Sequence, residues 1–213
     1  MTYSVKEMYL TLQGEGQMVG QVAVFCRFSG CNLWSGREED RAGAVCNFCD
    51  TDFVGTNGPD GGKFADADAL SNAIIDCWKH GTQNAPAPHV VFTGGEPLLQ
   101  LDTGLISALK AEGVFIAIET NGTIAAPENI DWVCVSPKAN APLVQNSGDE
   151  LKLVYPQPEA MPERFRALAF RHFSLQPMDG PMAAANTKAA LAYCQKHPEW
   201  RLSIQTHKMI GID

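Results

Sequence analysis

The sequence is poor in positive charge and lacks long apolar runs. It holds 16 Lys and Arg residues against 24 Asp and Glu residues, which gives a formal net charge of -8. Nucleic-acid binding depends on a positive surface that neutralises phosphates, so this balance argues against a nucleic-acid partner. It gives no reason to expect an anionic membrane surface either, and no apolar stretch is long enough to cross a bilayer. A small molecule is therefore the expected partner.

The N-terminus also lacks the charged-then-apolar pattern of a secretory signal. The chain has seven cysteines, and an odd number without such a signal indicates the reducing cytoplasm. Four of them lie within apolar patterns and are predicted to be buried hydrophobic residues. These four are Cys26, Cys77, Cys134 and Cys194.

Length and composition fit one domain that spans residues 1–213. Of these residues 45% are apolar, enough for a sizeable core. Seven short apolar runs recur along the chain, most of them nearly continuous, as in parallel strands covered on both faces. The predicted strands are 22–28, 89–93, 114–119, 132–135, 151–154, 170–175 and 202–206.

Helical spacing of apolar residues occurs in three segments, around 70–77, 101–109 and 190–194. The linkers after Thr120 and Ser136 are too rich in Pro, Gly and Asn for full-length helices. We therefore predict an α/β fold, an incomplete parallel (β/α) barrel with about six core strands and few helices.

Three cysteines, Cys31, Cys46 and Cys49, lie in the loop after the first of these predicted strands, with 14 residues and then two between them. Three thiolates suit a cubane iron–sulfur cluster with one iron free for an exogenous ligand, because a fully protein-ligated cluster takes four cysteines. A structural zinc site with a distant fourth ligand is the alternative. The charged stretch 37–41 inside the spacer is predicted to be a solvated excursion.

Polar, glycine- or proline-containing motifs follow four of the predicted strands: TGGEP at 93–97, ETNG at 119–122, SPK at 136–138 and QPMD at 176–179. Each motif alone would suit a turn. A parallel barrel, however, builds its site from the loops at the carboxyl ends of its strands. The motifs therefore predict a single site at that edge, close to the cysteine loop.

On these motifs the chain resembles the radical S-adenosylmethionine (SAM) superfamily and, within it, the 7-carboxy-7-deazaguanine synthases of the queuosine pathway. The cysteine loop and GGEP resemble the superfamily. The stretch LQGEG at 12–16, Cys-Asp-Thr at 49–51, ETNG, SPK and QPMD resemble the family. The superfamily usually has three residues between the first two cysteines, so the spacing of 14 departs from the pattern. A loop insertion is thermodynamically cheap.

The resemblance implies a [4Fe–4S] cluster held by Cys31, Cys46 and Cys49, SAM bound to its free iron, and Mg²⁺ at Thr51. It implies the ring contraction of 6-carboxy-5,6,7,8-tetrahydropterin to 7-carboxy-7-deazaguanine with release of ammonia. An electron donor such as flavodoxin and a second copy in a homodimer are the implied partners. The implied SAM-binding residues are Phe48, Cys49, Asp50, Gly95, Ser136, Pro137, Lys138, Gln176, Pro177, Met178 and Asp179.

The implied substrate-binding residues are Leu12, Gln13, Gly14, Glu15, Arg27, Thr93, His207 and Asp213. Arg27 is the only charge in its apolar strand and must be paired. A bidentate contact with the substrate carboxylate would pair it, and an ion pair with a protein carboxylate is the alternative. Glu15 suits the guanidine-like N–H pair of the pterin, with an exposed Glu in a tight turn as its alternative.

The magnesium site, the C-terminus and the activity each admit a second interpretation. Asp50 and Asp52 are further oxygen donors for Mg²⁺, and the C-terminus with His207 would otherwise be a solvated tail. A different radical SAM enzyme, such as an activase that installs a glycyl radical on a protein, would need a docking surface for that partner. A non-enzymatic module would use the same cysteines for zinc.

Overall fold

The computed structural model describes residues 2–212, so the predicted substrate contact of Asp213 lies outside the described residues. Nine strands in this range form one sheet in the order β3-β1-β2-β4-β5-β6-β7-β8-β9. Their bounds are β1 Tyr3–Leu12, β2 Val22–Phe28, β3 Gly62–Phe64, β4 His89–Gly94, β5 Phe115–Thr120, β6 Trp132–Val135, β7 Ser147–Tyr155, β8 Ala169–Pro177 and β9 Trp200–Leu202.

The sheet is parallel from β2 to β9. Only its first edge differs, since β1 runs antiparallel to both β2 and β3. The terminal strands β3 and β9 lie at opposite ends of the strand order, so the barrel is incomplete, as predicted. Parallel pairing brings the carboxyl ends of β2 and β4 to β8 to one edge, where the sequence places its polar motifs.

Four helices lie in the described chain: α1 Ala67–Thr82, α2 Thr103–Ala111, α3 Ala183–Lys196 and α4 Thr206–Ile210. The first two begin at aspartates, because Asp66 and Asp102 accept hydrogen bonds from backbone amides of the first turn. The three predicted helical segments are confirmed, and neither the β5–β6 nor the β6–β7 linker forms a helix. Of the helices in residues 2–212, none combines the length and the apolar content needed to span a membrane.

The helices cover the sheet in two apolar cores. Leu70 and Ile74 of α1 and Leu105 and Leu109 of α2 pack against the strands from β1 to β5. Ala190 of α3 belongs to a second core under β7 to β9. The opposite face of the sheet carries small buried side chains, which leaves room for a cavity inside the curved sheet.

Two sequence-based assignments were wrong or incomplete. The predicted strand 202–206 is wrong, because β9 ends at Leu202 and Thr206 already begins α4. The backbone leaves the sheet there because Ser203 and Thr206 bond to the loop after β1. The strands β1 and β3 were not predicted, since β1 buries mainly one face and carries charged residues such as Glu7.

The two ends of the sheet are joined by segments outside the strand ladder. Residues 13–17 follow β1 and bond to residues 201–207, and we call these two segments the seam. The amide of Thr206 donates to the Gly14 carbonyl at 2.9 Å, and the Gly16 amide donates to Ser203 Oγ at 2.9 Å. A Cβ at Gly14 would lie 2.2 Å from Nδ1 of His207, so the close approach of the seam requires glycine.

Candidate active site

A cavity of about 830 Å³ lies between the strand-end loops and the seam. Most residues that the sequence nominated line it. They are Leu12, Gln13, Gly14, Glu15, Arg27, Cys31, Cys46, Phe48, Cys49, Asp50, Thr51, Thr93, Gly95, Ser136, Lys138, Gln176 and His207. Among the nominated residues that the structure describes, four are absent from its lining: Pro137, Pro177, Met178 and Asp179.

The three cysteines converge on one wall of this cavity. Cys46 is buried and Cys31 and Cys49 are half-buried, all with free thiols. A hydrogen bond with Cys46 lowers the pKa of Cys49 to about 6 and raises the pKa of Cys46. The amide of Leu33 points at Cys31 Sγ at 3.4 Å, although burial raises the pKa of that thiol. The wall therefore carries three sulfur ligands, and the lowered pKa of Cys49 favours its thiolate form.

The number of cysteine thiols on this wall helps to distinguish an iron–sulfur cluster from a structural zinc site. Within residues 2–212, no three His, Cys, Asp or Glu side chains are close enough together to hold one metal ion. Structural zinc needs four ligands on a single atom. A cubane cluster that keeps one iron free for an exogenous ligand needs only three thiolates. The three thiols of this wall fit such a cluster.

The unusual spacer between Cys31 and Cys46 is a closed loop. The amides of Val45 and Cys46 both donate to the carbonyl of Leu33, at 3.1 and 3.4 Å. The two ends of the insertion therefore lie next to each other in space. This closure lets Cys31 and Cys46 reach the same wall despite the long spacer. Part of it is solvated as predicted, because Glu38, Glu39 and Asp40 are exposed on a short 3₁₀ helix.

The GGEP motif packs the end of β4 against the cysteine loop. A Cβ at Gly95 would lie 2.1 Å from the Gly30 carbonyl oxygen, so only glycine fits there. The side chain of Glu96 is fully buried and accepts hydrogen bonds from Thr120 Oγ1 at 2.7 Å and from the Asn121 amide at 2.8 Å. Burial raises the pKa of Glu96. The motif thus fixes two strand-end loops relative to each other.

The remaining strand-end motifs are held by short polar contacts. Lys138 donates to the carbonyl and hydroxyl oxygens of Ser136, at 2.6 and 2.8 Å. Lys208 of α4 donates to both Asp50 and Asp179 at 2.6 Å, which ties α4 to the cysteine loop and to the loop after β8. Asp179 therefore binds Lys208 of α4 and does not line the cavity.

A buried group of charges also lines the cavity. The ammonium of Lys152 lies 2.8 Å from Glu15 and 3.0 Å from Glu119. Glu15 also accepts a hydrogen bond from Gln205 at 2.9 Å, and Gln13 donates to Glu119 at 3.3 Å. Two carboxylates share one ammonium here, and the exposed-turn alternative for Glu15 is wrong because its side chain is only 17% exposed.

Burial and charge act differently on the two carboxyl groups. Burial opposes ionisation of Glu15, but the charge and hydrogen bond of Lys152 overcome it and lower its pKa to about 2. Burial raises the pKa of Glu119, with repulsion from Glu15 adding to the shift. The group therefore holds one carboxylate that ionises readily and one that resists ionisation.

The depressed pKa of Glu15 makes its contribution to stability depend on pH. A carboxyl with a lowered pKa in the folded state stabilises the fold above its ordinary value of 4.5 and stops doing so as pH falls toward 2. We expect Glu15→Gln to lower the free energy of unfolding by about 3 kcal/mol at pH 7. Urea denaturation of metal-free protein should show this difference shrinking below pH 4.5.

The matched control for that prediction is Glu39→Gln, because the Glu39 side chain is 76% exposed. Substitutions at such surface positions change stability by no more than about 0.5 kcal/mol. A difference between wild type and Glu15→Gln that stays constant from pH 7 down to about pH 2 would contradict the assigned ion pair.

Arg27 makes the protein ion pair that the sequence left open. Its Nε lies 2.8 Å from a carboxylate oxygen of Glu7, and Nη2 donates to the Tyr9 hydroxyl at 3.1 Å. Glu7 and Tyr9 both lie on β1, which pairs with β2, the strand that carries Arg27. The guanidinium also lines the cavity, so it remains exposed to a bound molecule on that side.

Thr51 lines the cavity beside the cysteines, as a ligand for Mg²⁺ would. The two aspartates that flank it are already paired with lysines. Asp50 accepts from Lys208, and Asp52 lies 2.8 Å from Lys6. Both alternative oxygen donors are therefore already engaged with lysines.

Among the lining residues that sequence reasoning did not assign to the site are members of the buried charge group and its hydrogen-bond partner: Glu119, Lys152 and Gln205. Lys152 could have been found by the argument applied to Arg27, because it is a lone charge between apolar neighbours of a predicted strand. Glu119 opens the ETNG motif at the end of β5. Gln205 carries no signal, since it reaches the site only through the seam.

Comparisons with known proteins agree with this fold and this cavity. No model of a known protein family matches the chain. The 7-carboxy-7-deazaguanine synthase of Caulobacter vibrioides is 66% identical over 212 residues, and that of Bordetella pertussis is 63% identical over 212 residues. Both matches cover 100% of each chain.

Among solved structures, the crystal structure of QueE from Escherichia coli matches with a TM-score of 0.69 and 30% identity. The match covers 97% of this chain and 95% of that one. The likeness of fold, the full-length identity and the three cysteines in one cavity lead to the same conclusion: the chain belongs to the 7-carboxy-7-deazaguanine synthases of the radical SAM superfamily.

Proposed function

We propose that this chain converts 6-carboxy-5,6,7,8-tetrahydropterin to 7-carboxy-7-deazaguanine with release of ammonia, as a radical SAM lyase of queuosine biosynthesis. The observation that carries the proposal is the shared cavity. The three cysteines line it, and so do Lys152, Glu15 and Glu119 of the buried charge group. Cofactor chemistry and substrate recognition would therefore share one space.

A [4Fe–4S] cluster with SAM would supply a 5′-deoxyadenosyl radical able to take a hydrogen atom from C6 of the pterin. Cys31, Cys46 and Cys49 would hold the cluster. The protein itself must bind and orient the reactants and exclude side reactions. SAM would lie against the backbone at Gly95, which lines the cavity and packs against the cysteine loop.

The other proposed SAM contacts come from the strand-end loops. Phe48 and Asp50, with the cluster ligand Cys49, would meet the nucleoside. The motifs after β6 and β8 would line the rest of the pocket through Ser136, Lys138 and Gln176. The other proposed residues of these motifs stand outside the lining, and we assign them the shaping of the loops: Pro137, Pro177, Met178 and Asp179.

Substrate recognition is assigned to the seam and its neighbours. The carboxylate of Glu15 would accept from the guanidine-like N–H groups of the pterin, a charge-assisted pairing. Arg27 would contact the substrate carboxylate. Further contacts are proposed for Leu12, Gln13, Gly14, Thr93, His207 and Asp213, and Thr51 is proposed to hold Mg²⁺.

The test is an anaerobic assay of purified, reconstituted protein. It should bind about four irons per chain, as a [4Fe–4S] site requires. Reduced protein incubated with SAM and the carboxytetrahydropterin should then release the deazapurine and ammonia. Zinc in place of iron, without visible absorption, would contradict the proposal. Deoxyadenosine formed while the pterin stays intact would point to a different radical SAM enzyme.

Arg27 offers a sharper test of substrate recognition. We expect Arg27→Ala to leave iron content unchanged and to weaken pterin binding by about 10- to 150-fold, the effect of losing hydrogen bonds between charged groups. Equilibrium binding to the reconstituted protein measures this directly. Glu7→Gln is the matched control, because it removes the ion pair at 2.8 Å and keeps the guanidinium. Equal losses in the two variants would assign Arg27 a purely internal role.

Several further features of the proposal rest on the sequence and on the resemblance. We place the protein in the cytoplasm, with an electron donor such as flavodoxin and a second copy in a homodimer. We also treat residues 1–213 as a single domain, whose terminal segments close over the substrate. Sedimentation of the reconstituted protein would measure its oligomeric state.

A further inference from the structure

Arg41 turns back from the solvated spacer toward the cysteines. Its Nη1 donates to the carbonyl of Asn47 at 3.0 Å and to the carbonyl of Cys49 at 2.9 Å. These carbonyls belong to the turn that presents Cys46 and Cys49. One guanidinium nitrogen therefore bonds to two backbone carbonyls of the segment that runs from Cys46 to Cys49.

The rest of the Arg41 side chain is fixed by three other contacts. Its Nε donates to both carboxylate oxygens of Glu38, at 2.7 and 2.9 Å. The guanidinium carbon lies 4.1 Å from the centre of the Trp34 ring, a cation–π contact. Trp34 in turn is buried and packs edge-on against Phe53. The fork of Arg41 is thus held from both sides, which an exposed surface arginine would not be.

The charge of Arg41 also lies close to the site. Its guanidinium is bonded to the backbone of the turn that carries Cys46 and Cys49, so the positive charge is near both ligands. A cluster ligated by thiolates is rich in negative charge, and hydrogen bonds and charges around its ligands set its reduction potential. A cation next to two of three ligands favours the addition of an electron.

We infer that Arg41 is a positioning residue for the cluster, which fixes the Cys46–Cys49 turn and raises the reduction potential of the bound iron. The inference rests on the proposed function, since it needs a cluster at the three cysteines. It also gives the 14-residue spacer a role, because the spacer supplies the arginine that bonds to the backbone of the ligand turn. Arg41 touches neither substrate nor cofactor and acts through Asn47 and Cys49.

The test compares two variants of the reconstituted protein under anaerobic conditions. Losing a partner of a metal ligand typically lowers metal affinity by about 10- to 100-fold. We expect Arg41→Ala to lose iron to a chelator about 10-fold faster than wild type and to show a lower midpoint potential in a reductive titration. Arg41→Lys keeps the charge without the planar fork. It should therefore retain most of the potential and lose iron at an intermediate rate.

Arg37→Ala is the matched control, because Arg37 lies in the same spacer and its side chain is 71% exposed. It should match wild type in both measurements. Iron loss and potential that remain at wild-type values in Arg41→Ala would overturn the inference. A wild-type protein that takes up no iron would instead defeat the proposed function. Far-ultraviolet circular dichroism of each variant separates these outcomes from a failure to fold.

Discussion

We expect alanine at Cys31, Cys46 or Cys49 to abolish cluster binding, each substitution acting alone. The three thiols lie on one wall of the cavity, and a cubane that already leaves one iron without a cysteine cannot lose a second ligand cheaply. Iron per chain should fall from about four in wild type to near zero in each variant. Iron and sulfide analysis with visible absorption spectra measures the loss.

The matched control is Cys194→Ala. Cys194 is half-buried on α3 beside the second core and does not line the cavity. Its replacement should leave the cluster at its wild-type level, which excludes a general effect of losing a thiol. Full cluster content in any of the three cavity variants would remove that cysteine from the ligand set.

The second large effect is expected at Lys152. Its side chain is 6% exposed and lies within 3.0 Å of both Glu15 and Glu119. Removing one partner of a buried ion pair typically costs about 3–5 kcal/mol, because the remaining charge is left without compensation. We expect Lys152→Met to lower the free energy of unfolding by that amount at pH 7, measured by urea denaturation of metal-free protein.

Two companion variants make the Lys152 prediction specific. The double variant Lys152→Met with Glu119→Gln should recover part of the loss, because one of the uncompensated carboxylates is gone. Lys188→Met, at a surface position of α3, should change stability by no more than about 0.5 kcal/mol. The loss should also diminish at acid pH, where Glu15 and Glu119 take up protons. A double variant no more stable than Lys152→Met would show that lost packing, not charge, explains the effect.

Much of the site was predictable because its residues lie at the ends of apolar strands. The cysteine loop follows β2, GGEP follows β4 and SPK follows β6, and parallel pairing brings such ends to one edge. The fold class followed from the same apolar runs. Local sequence carries this information because a buried parallel strand is apolar along its whole length.

What the sequence did not predict depends on contacts between distant parts of the chain. The seam joins Gly14 to Thr206, 192 positions later, and nothing in either local pattern indicates the pairing. Strand 202–206 was wrongly predicted for this reason, since its apolar spacing suits a strand but its polar side chains bind the loop after β1. Lys152 was overlooked although its environment resembles that of Arg27. A lone charge in an apolar strand predicts that an oppositely charged partner exists, but it does not predict which residue that partner is.

The weakness of the seam bears on how small molecules reach the interior. Between residues 13–17 and 201–207 the chain is held mainly by side chains, such as Gln205 on Glu15 and Arg201 on Gln17, instead of a strand ladder. A closure made largely of side chains can open without disturbing the backbone ladder of the sheet. We therefore expect this flank to be where a small molecule enters the cavity.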